Sequence, residues 1–283
     1  MNILARNFER LRAEGWKQVF DALERVLTGM EIDFYLIGAV ARDVWIEHLS
    51  YRDKRTTRDV DICVYVRDLE QYKAVQEALI TGEGFFRDTR EPYRLYGPDG
   101  RMLDLIPFGD IERDGTVWLD DPPTVLSVWG TKAVSGGAVT AYGAFKVITL
   151  PGLCVLKLLA WDARPEWRAK DLEDVYFIFR HYFEISGDAL YEQPYDDLLT
   201  DDFEPNVAAA RMLGRQMTEV LRESAEVYLK VRDVLAGLIS SFTEKEVEEL
   251  YVSDNDDRRI VQRRLSLEVR RGMEDKNTER GLI

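Results

Sequence analysis

The sequence predicts an α/β (α+β) fold in which a domain of strands and helices, residues 1–150, precedes a helical domain, residues 151–283. Short apolar runs bounded by turn residues alternate with helical patterns over residues 33–150, whereas from Pro151 onward apolar residues recur at helical spacing. The chain has 283 residues, 46% of them hydrophobic, so it can bury one large core or two modest ones.

The first predicted elements are a helix, a strand and a second helix. A long N-terminal helix, kinked near Gly15, is indicated by Phe8, Leu11, Trp16, Phe20, Leu23 and Leu27. Residues 32–37 form a predicted strand that turns at Gly38 and Ala39 into an amphipathic helix. The first turn of a helix has free backbone N–H groups, which attract phosphate. We therefore predict that Gly38 and Ala39 bind a phosphate group.

The next predicted strand carries two carboxylates, Asp59 and Asp61, where an apolar run begins. Residues two apart in a strand point to the same side, so the two side chains lie together. Two carboxylates this close repel each other unless a cation lies between them, and oxygen ligands suit Mg²⁺. The spacing therefore predicts a metal site.

A predicted β-hairpin supplies a third carboxylate. Residues 93–96 and 101–108 alternate in character around the turn residues 97–100. The second of these strands is mostly apolar but contains Asp104. A carboxylate in such a strand is costly unless it is paired or binds a metal, so Asp104 is the third candidate ligand.

A phosphate-binding turn, an Asp-x-Asp strand and a third strand aspartate together resemble the nucleotidyltransferase superfamily typified by DNA polymerase β. The resemblance implies a small mixed sheet and two Mg²⁺ ions, held around an NTP by Asp59, Asp61 and Asp104. It implies that Asp59 and Asp61 bind both ions, while Asp104 binds one and is a candidate general base. An acceptor hydroxyl would attack the α-phosphorus and release pyrophosphate, in a cleft expected between the two domains.

A helical segment narrows the resemblance. Lys157 is the one charge in an apolar helix that opens at Pro151. With the residues that follow, it is similar to the third motif of AbiEii-like nucleotidyltransferases, the toxin or abortive-infection components of bacterial toxin-antitoxin and phage-defence systems: Lys157, Ala160, Arg164, Arg168, Lys170, Asp171 and Asp174. The resemblance implies that further nucleotide-binding residues are Thr57, Lys157, Arg164, Arg168, Asp171 and Asp174. Ala39 departs from the family, which usually has Gly or Ser there, and its Cβ leaves a phosphate less room.

The same segment also has a structural interpretation. Lysine can extend its amine out of an apolar helix, and Lys170 and Asp174 have the i, i+4 spacing of an ordinary surface ion pair. We expect Lys157→Met to abolish nucleotide transfer and to leave the melting temperature unchanged if Lys157 meets the triphosphate.

Two alternatives to RNA or protein modification remain open. The resemblance suggests RNA, such as a tRNA 3′ end, or a protein hydroxyl as acceptor, and a co-encoded antitoxin as partner. The net charge of −14 favours instead an adenylyltransferase acting on a cationic, antibiotic-like small molecule. The third possibility is a catalytically silent nucleotide-binding or partner-binding module.

Composition limits these functions. The net charge argues against a globally basic nucleic-acid-binding protein, although Arg52, Lys54, Arg55 and Arg58 precede the metal strand. No apolar run reaches membrane-spanning length and no secretory h-region is recognisable, so we expect no membrane partner and a cytoplasmic protein. The only cysteines, Cys63 and Cys154, are in apolar contexts and are predicted to be reduced and buried.

The remaining pattern is one strand and several helices. Residues 142–149 form the predicted last strand, and 193–205 a loop. Further helices are predicted over residues 207–221, 225–239 and 244–251. The arginine-rich residues 258–271 alternate with apolar ones, which favours an amphipathic helix packed on its own protein over an RNA-binding arm.

Overall fold

The computed structural model describes residues 3–47, 49, 58–192, 194–240 and 258–280. The chain divides into two compact units, Met1–Leu153 and Cys154–Ile283. The first combines strands with helices and the second is helical, which confirms the predicted α+β fold class. The predicted domain boundary at residue 150 stays a prediction.

A mixed sheet of seven strands forms the centre of the described first unit, in the spatial order β3-β4-β5-β2-β1-β9-β8. Its strands are β1 (Phe34–Ile37), β2 (Asp59–Val66), β3 (Phe86–Arg87), β4 (Arg94–Tyr96), β5 (Met102–Gly109), β8 (Val139–Tyr142) and β9 (Phe145–Val147). Two neighbour pairs, β2 with β5 and β1 with β9, are parallel, and the other pairs are antiparallel. A separate antiparallel hairpin consists of β6 (Thr116–Asp120) and β7 (Pro123–Ser127).

The helices of the first unit are α1 (Ile3–Leu11), α2 (Lys17–Gly29), α3 (Gly38–Ile46), α4 (Leu69–Glu83) and α5 (Thr131–Ser135). Aromatic rings join the first two helices to the sheet. The Phe145 ring on β9 lies 4.9 Å from that of Phe8, 5.1 Å from that of Phe20 and 5.1 Å from that of Phe34, measured between centroids. These buried rings fix one face of the sheet by apolar contact.

Two sequence predictions for this unit meet different outcomes. The kink near Gly15 is confirmed, because Gly15 has φ of 117°, which interrupts the helical backbone between α1 and α2. The strand predicted over residues 142–149 is confirmed only in part, because β9 covers Phe145–Val147 and Tyr142 belongs to β8. The backbone reverses at Gly143, whose φ is +52°, so β8 and β9 form a hairpin in place of one strand.

Among the described residues, four further α-helices follow α6 (Leu150–Ala163): α7 (Ala169–Ser186), α8 (Pro205–Val220), α9 (Ala225–Ile239) and α10 (Arg258–Arg280). The arginine-rich segment is a helix packed on its own unit, as predicted. Leu265 and Val269 on α10 are buried, and Gly214 on α8 packs against the backbone of α10 without room for a Cβ. The helix predicted over residues 244–251 lies outside the described residues.

Both cysteines are buried and unpaired, as predicted. Burial raises the pKa of the Cys63 and Cys154 thiols above its ordinary value. Among the described residues, none of the helices combines the length and the apolar character that crossing a membrane requires.

Candidate active site

The three aspartates predicted as metal ligands come together on neighbouring strands. In the parallel ladder of β2 and β5, Asp61 lies directly opposite Asp104. Asp59 precedes Asp61 by two residues on β2 and therefore shares its face of the sheet. One carboxylate oxygen from each of Asp59, Asp61 and Asp104 lies within 4.8 Å of the other two. We call this set the aspartate triad.

The turn that follows β1 lies against the triad. Ile37, the last residue of β1, pairs with Asp61 across the antiparallel ladder, and Gly38 then begins α3. Gly38 has φ of +69°, a conformation that residues with a Cβ rarely adopt. A Cβ at this position would overlap the carboxylate of Asp61. Glycine is thus required here for both backbone conformation and space, and Ala39 lies beyond it in the first turn of α3.

The donor set of the triad fits Mg²⁺. All three ligands are carboxylate oxygens, which this ion prefers, and oxygens on opposite sides of one ion are separated by about 4.2 Å because each Mg–O distance is about 2.1 Å. The 4.8 Å limit on the spacing of the triad oxygens therefore needs only small side-chain shifts to admit an ion. The missing side chain at Gly38 lets the Asp61 carboxylate occupy its place in the triad.

Sequence reasoning missed Arg94, which lies on β4 directly opposite Asp104. Its Nε donates to Oδ1 of Asp104 at 2.6 Å, and its Nη2 donates to Oδ2 at 2.7 Å. The Arg94 side chain remains 24% exposed. The hairpin predicted over residues 93–108 was the available signal, because it places the strand that contains Arg94 beside the strand that contains Asp104.

Burial and Arg94 act on Asp104 in opposite directions. Asp104 is 6% exposed, and burial raises its pKa above the ordinary value although the Arg94 hydrogen bonds favour the ionised form. The pKa of Arg94 is raised in turn, chiefly by its hydrogen bonds to Asp104. Asp104 is thus a buried carboxylate whose charge is paired with the guanidinium of Arg94.

Lys157 is paired with the two acidic residues of its own predicted motif. Its Nζ donates to Oδ1 of Asp171 at 2.9 Å and to Oδ2 of Asp174 at 2.8 Å. Lys157 is 7% exposed, and Asp174 is also buried. The structure therefore brings together three of the predicted nucleotide-binding residues as a buried ion cluster in the second unit.

The other predicted residues of this motif lie at the surface. Arg164 is exposed in the turn between α6 and α7, and Arg168 is exposed at the start of α7, where its Nη1 donates to Asp171 at 3.4 Å. Thr57, together with the predicted basic residues Arg52, Lys54 and Arg55, lies outside the described residues. Their predicted roles in nucleotide binding stay predictions.

Comparisons with known proteins give distant likenesses in structure alone. No protein-family model matches the chain, and no curated protein matches it. The antibiotic-resistance factor ANT(2″)-Ia is 16% identical, with 74% of this chain and 89% of that chain covered, at a TM-score of 0.34. JHP933 from Helicobacter pylori is 13% identical, with 94% and 93% covered, at a TM-score of 0.35. At these values neither likeness assigns an activity.

Proposed function

We propose that this protein is a Mg²⁺-dependent nucleotidyltransferase that moves a nucleoside monophosphate from an NTP to an acceptor hydroxyl. The observation that carries the proposal is the convergence of Asp59, Asp61 and Asp104 beside the Gly38 turn. Three carboxylates in one small volume are an arrangement that a divalent cation stabilises, because without it their charges repel. The helix that starts at Gly38 adds backbone N–H groups suited to phosphate.

Each element has a definite part in this chemistry. Asp59 and Asp61 bind the metal from β2, and Asp104 adds a ligand from β5. When bound, Mg²⁺ would lower the pKa of the attacking hydroxyl and offset the negative charge of the phosphates. The amides of the first turn of α3 orient the triphosphate, and the missing Cβ at Gly38 lets the Asp61 carboxylate lie directly against this turn.

A thermal-shift experiment tests the metal site. Ligands that bind the native state raise the melting temperature by mass action, so Mg²⁺ and an NTP together should stabilise the protein more than either alone. Asp61→Asn should abolish this joint effect, because the substitution removes a central ligand and keeps the side-chain shape. Asp33→Asn is the matched control, since Asp33 is an exposed carboxylate paired with Lys146 at 2.6 Å. Equal stabilisation of the wild type and Asp61→Asn would rule out the three-carboxylate site.

An activity assay tests the reaction and its acceptor. The protein is incubated with each labelled NTP, Mg²⁺ and a total cell extract, and label is then sought in RNA, protein and small molecules. Label in RNA or protein is the result we expect from the motif resemblance at residues 157–174. Label in a small molecule would favour the antibiotic-type adenylyltransferase. Absence of transfer by a protein that binds Mg²⁺ and NTP would leave a silent nucleotide-binding module.

The same motif resemblance supports a toxin or phage-defence role. We propose that expression of this chain slows bacterial growth and that a co-encoded antitoxin relieves the effect. Growth is compared between cells that express the wild type and cells that express Asp61→Asn at equal soluble levels. Equal growth of both cultures would contradict the toxin role and leave the transfer reaction untouched.

A further inference from the structure

Arg94 places a positive charge beside Asp104, one of the three proposed metal ligands. Its guanidinium donates to both oxygens of Asp104, at 2.6 Å and 2.7 Å. One oxygen of Asp104 also lies within 4.8 Å of an oxygen of Asp59 and of an oxygen of Asp61. A carboxylate has about four lone-pair sites on its two oxygens, and Arg94 takes two of them. A divalent ion that binds Asp104 must therefore share this carboxylate with Arg94 or displace it.

Electrostatics makes this competition strong. A guanidinium and a divalent ion that share one buried carboxylate repel each other, whereas each attracts the carboxylate. Asp104 is buried, so solvent screens the repulsion less than it would at the surface. A divalent ion therefore binds Asp104 more strongly after the guanidinium of Arg94 has moved away.

Solvent and the ring of Tyr93 offer the Arg94 guanidinium a second favourable environment. The Arg94 side chain is partly exposed, and its Cζ already lies 5.9 Å from the centroid of the neighbouring Tyr93 ring. A cation near an aromatic face is stabilised, so the guanidinium can leave Asp104 without becoming an unpaired buried charge.

We propose that Arg94 is an exchangeable counter-cation of the aspartate triad. Its guanidinium occupies Asp104 while the site is empty of metal, and it yields Asp104 when divalent ions fill the site. The inference rests on the proposed function, because it takes the three aspartates as metal ligands. It assigns to Arg94 a role in setting ion affinity, in addition to bracing the β4–β5 hairpin.

The test is a titration of the full chain with Mn²⁺ alone, followed by the electron paramagnetic resonance signal of free Mn²⁺. Arg94→Gln removes the competing charge, so we expect its Mn²⁺ affinity to exceed that of the wild type by about tenfold or more, on the basis of a charge–charge repulsion at short range. Arg87→Gln is the matched control, since Arg87 lies on the next strand, β3, and bonds Gln76 and Glu77. The control should bind Mn²⁺ as the wild type does.

A second pair of variants keeps the test valid if Arg94→Gln does not fold. Because Mn²⁺ must displace Arg94 before it binds Asp104, part of the free energy of the Asp104–Mn²⁺ contact is offset by the lost Arg94–Asp104 pair, whereas the Asp61–Mn²⁺ contact carries no such cost. Asp104→Asn should therefore weaken Mn²⁺ binding less than Asp61→Asn does. Equal weakening by the two substitutions would contradict the inference.

The outcomes separate the inference from the proposed function. If Asp61→Asn weakens Mn²⁺ binding but Arg94→Gln leaves it unchanged or weaker, the metal site stands and Arg94 is a structural brace only. If Asp61→Asn binds Mn²⁺ as the wild type does, the metal site fails and the inference fails with it.

Discussion

Replacement of Lys157 by Met tests whether this lysine stabilises the fold. Met has a similar volume and helix propensity, so the substitution removes mainly the charge. Lys157 is buried and pairs with both Asp171 and Asp174 at hydrogen-bond distance. Its loss leaves two carboxylates without their shared cation, which changes our sequence-based expectation of an unchanged melting temperature.

The expected destabilisation is large. Removal of one partner from a buried ion pair costs about 3–5 kcal/mol, because the remaining charge stays desolvated. For a cooperative unit of this size each kcal/mol lowers the melting temperature by about 3 °C, so we expect a decrease of roughly 10–15 °C. Asp171 retains its 3.4 Å contact with Arg168, which favours the lower end of that range.

Calorimetry of the full chain measures the effect. Lys170→Met is the matched control, because Lys170 is exposed on α7 and its loss should change the melting temperature by no more than about 2 °C. Adding Asp174→Asn to Lys157→Met removes one of the stranded carboxylates and should recover part of the loss. A Lys157→Met protein that melts as the Lys170→Met control does would refute the reasoning.

The pH dependence of this difference gives an independent check. Burial acts to lower the pKa of Lys157, but the attraction of Asp171 and Asp174 outweighs it, so the pKa lies above its ordinary value. A group with a raised folded-state pKa stabilises fully below its unfolded-state pKa, about 10.4, and loses that stabilisation as the pH rises through the folded-state pKa. The stability difference between wild type and Lys157→Met should therefore stay constant from about pH 7 to 9.5 and shrink only above about pH 10.5.

Three further predictions concern two closely packed glycines and the two buried cysteines. Gly38→Ala combines backbone strain of about 1–2 kcal/mol with a clash against Asp61, so it should abolish stabilisation by Mg²⁺ plus NTP in the thermal-shift assay; retained stabilisation would contradict the turn geometry. Gly214→Ala inserts a methyl group against a backbone carbonyl of α10 and should lower the unfolding free energy by about 1–3 kcal/mol in urea titrations. Cys63 and Cys154 are fully buried, so neither should react with a thiol reagent in the native protein and both should react in guanidinium; fast native labelling would show that one is accessible.

The members of the aspartate triad were predictable from sequence because their positions follow from local rules. Alternation along a strand places Asp59 and Asp61 on one side, and the hairpin around residues 97–100 marks the strand that carries Asp104. The parallel pairing that sets Asp61 opposite Asp104 was not predictable from these patterns. It depends on how distant strands associate, which a short sequence window does not contain.

The hairpin of β8 and β9 shows a different limit. Residues 142–149 are consistent with one strand because they are rich in the aromatic and β-branched residues that are common in strands. Gly143 ends that strand by adopting a positive φ, and the chain returns as β9 to pair with β8. A single glycine in a strand pattern indicates either a bulge in one strand or a turn between two strands. The pattern alone therefore does not distinguish a continuous strand over residues 142–149 from the observed hairpin.

Lys157 and Arg94 show that residue type alone does not tell which acidic side chains a cation contacts. Lys157 has three donor hydrogens, and Asp171 and Asp174 accept two of them, so one remains for a phosphate oxygen. With both carboxylates ionised, however, the cluster of three side chains carries a formal charge of −1, which weakens its attraction for a triphosphate. Arg94, which no motif marked, instead contacts a member of the aspartate triad directly. The positive charge that acts on the proposed metal centre is therefore set by the pairing of β4 with β5, and its role follows from position in the sheet.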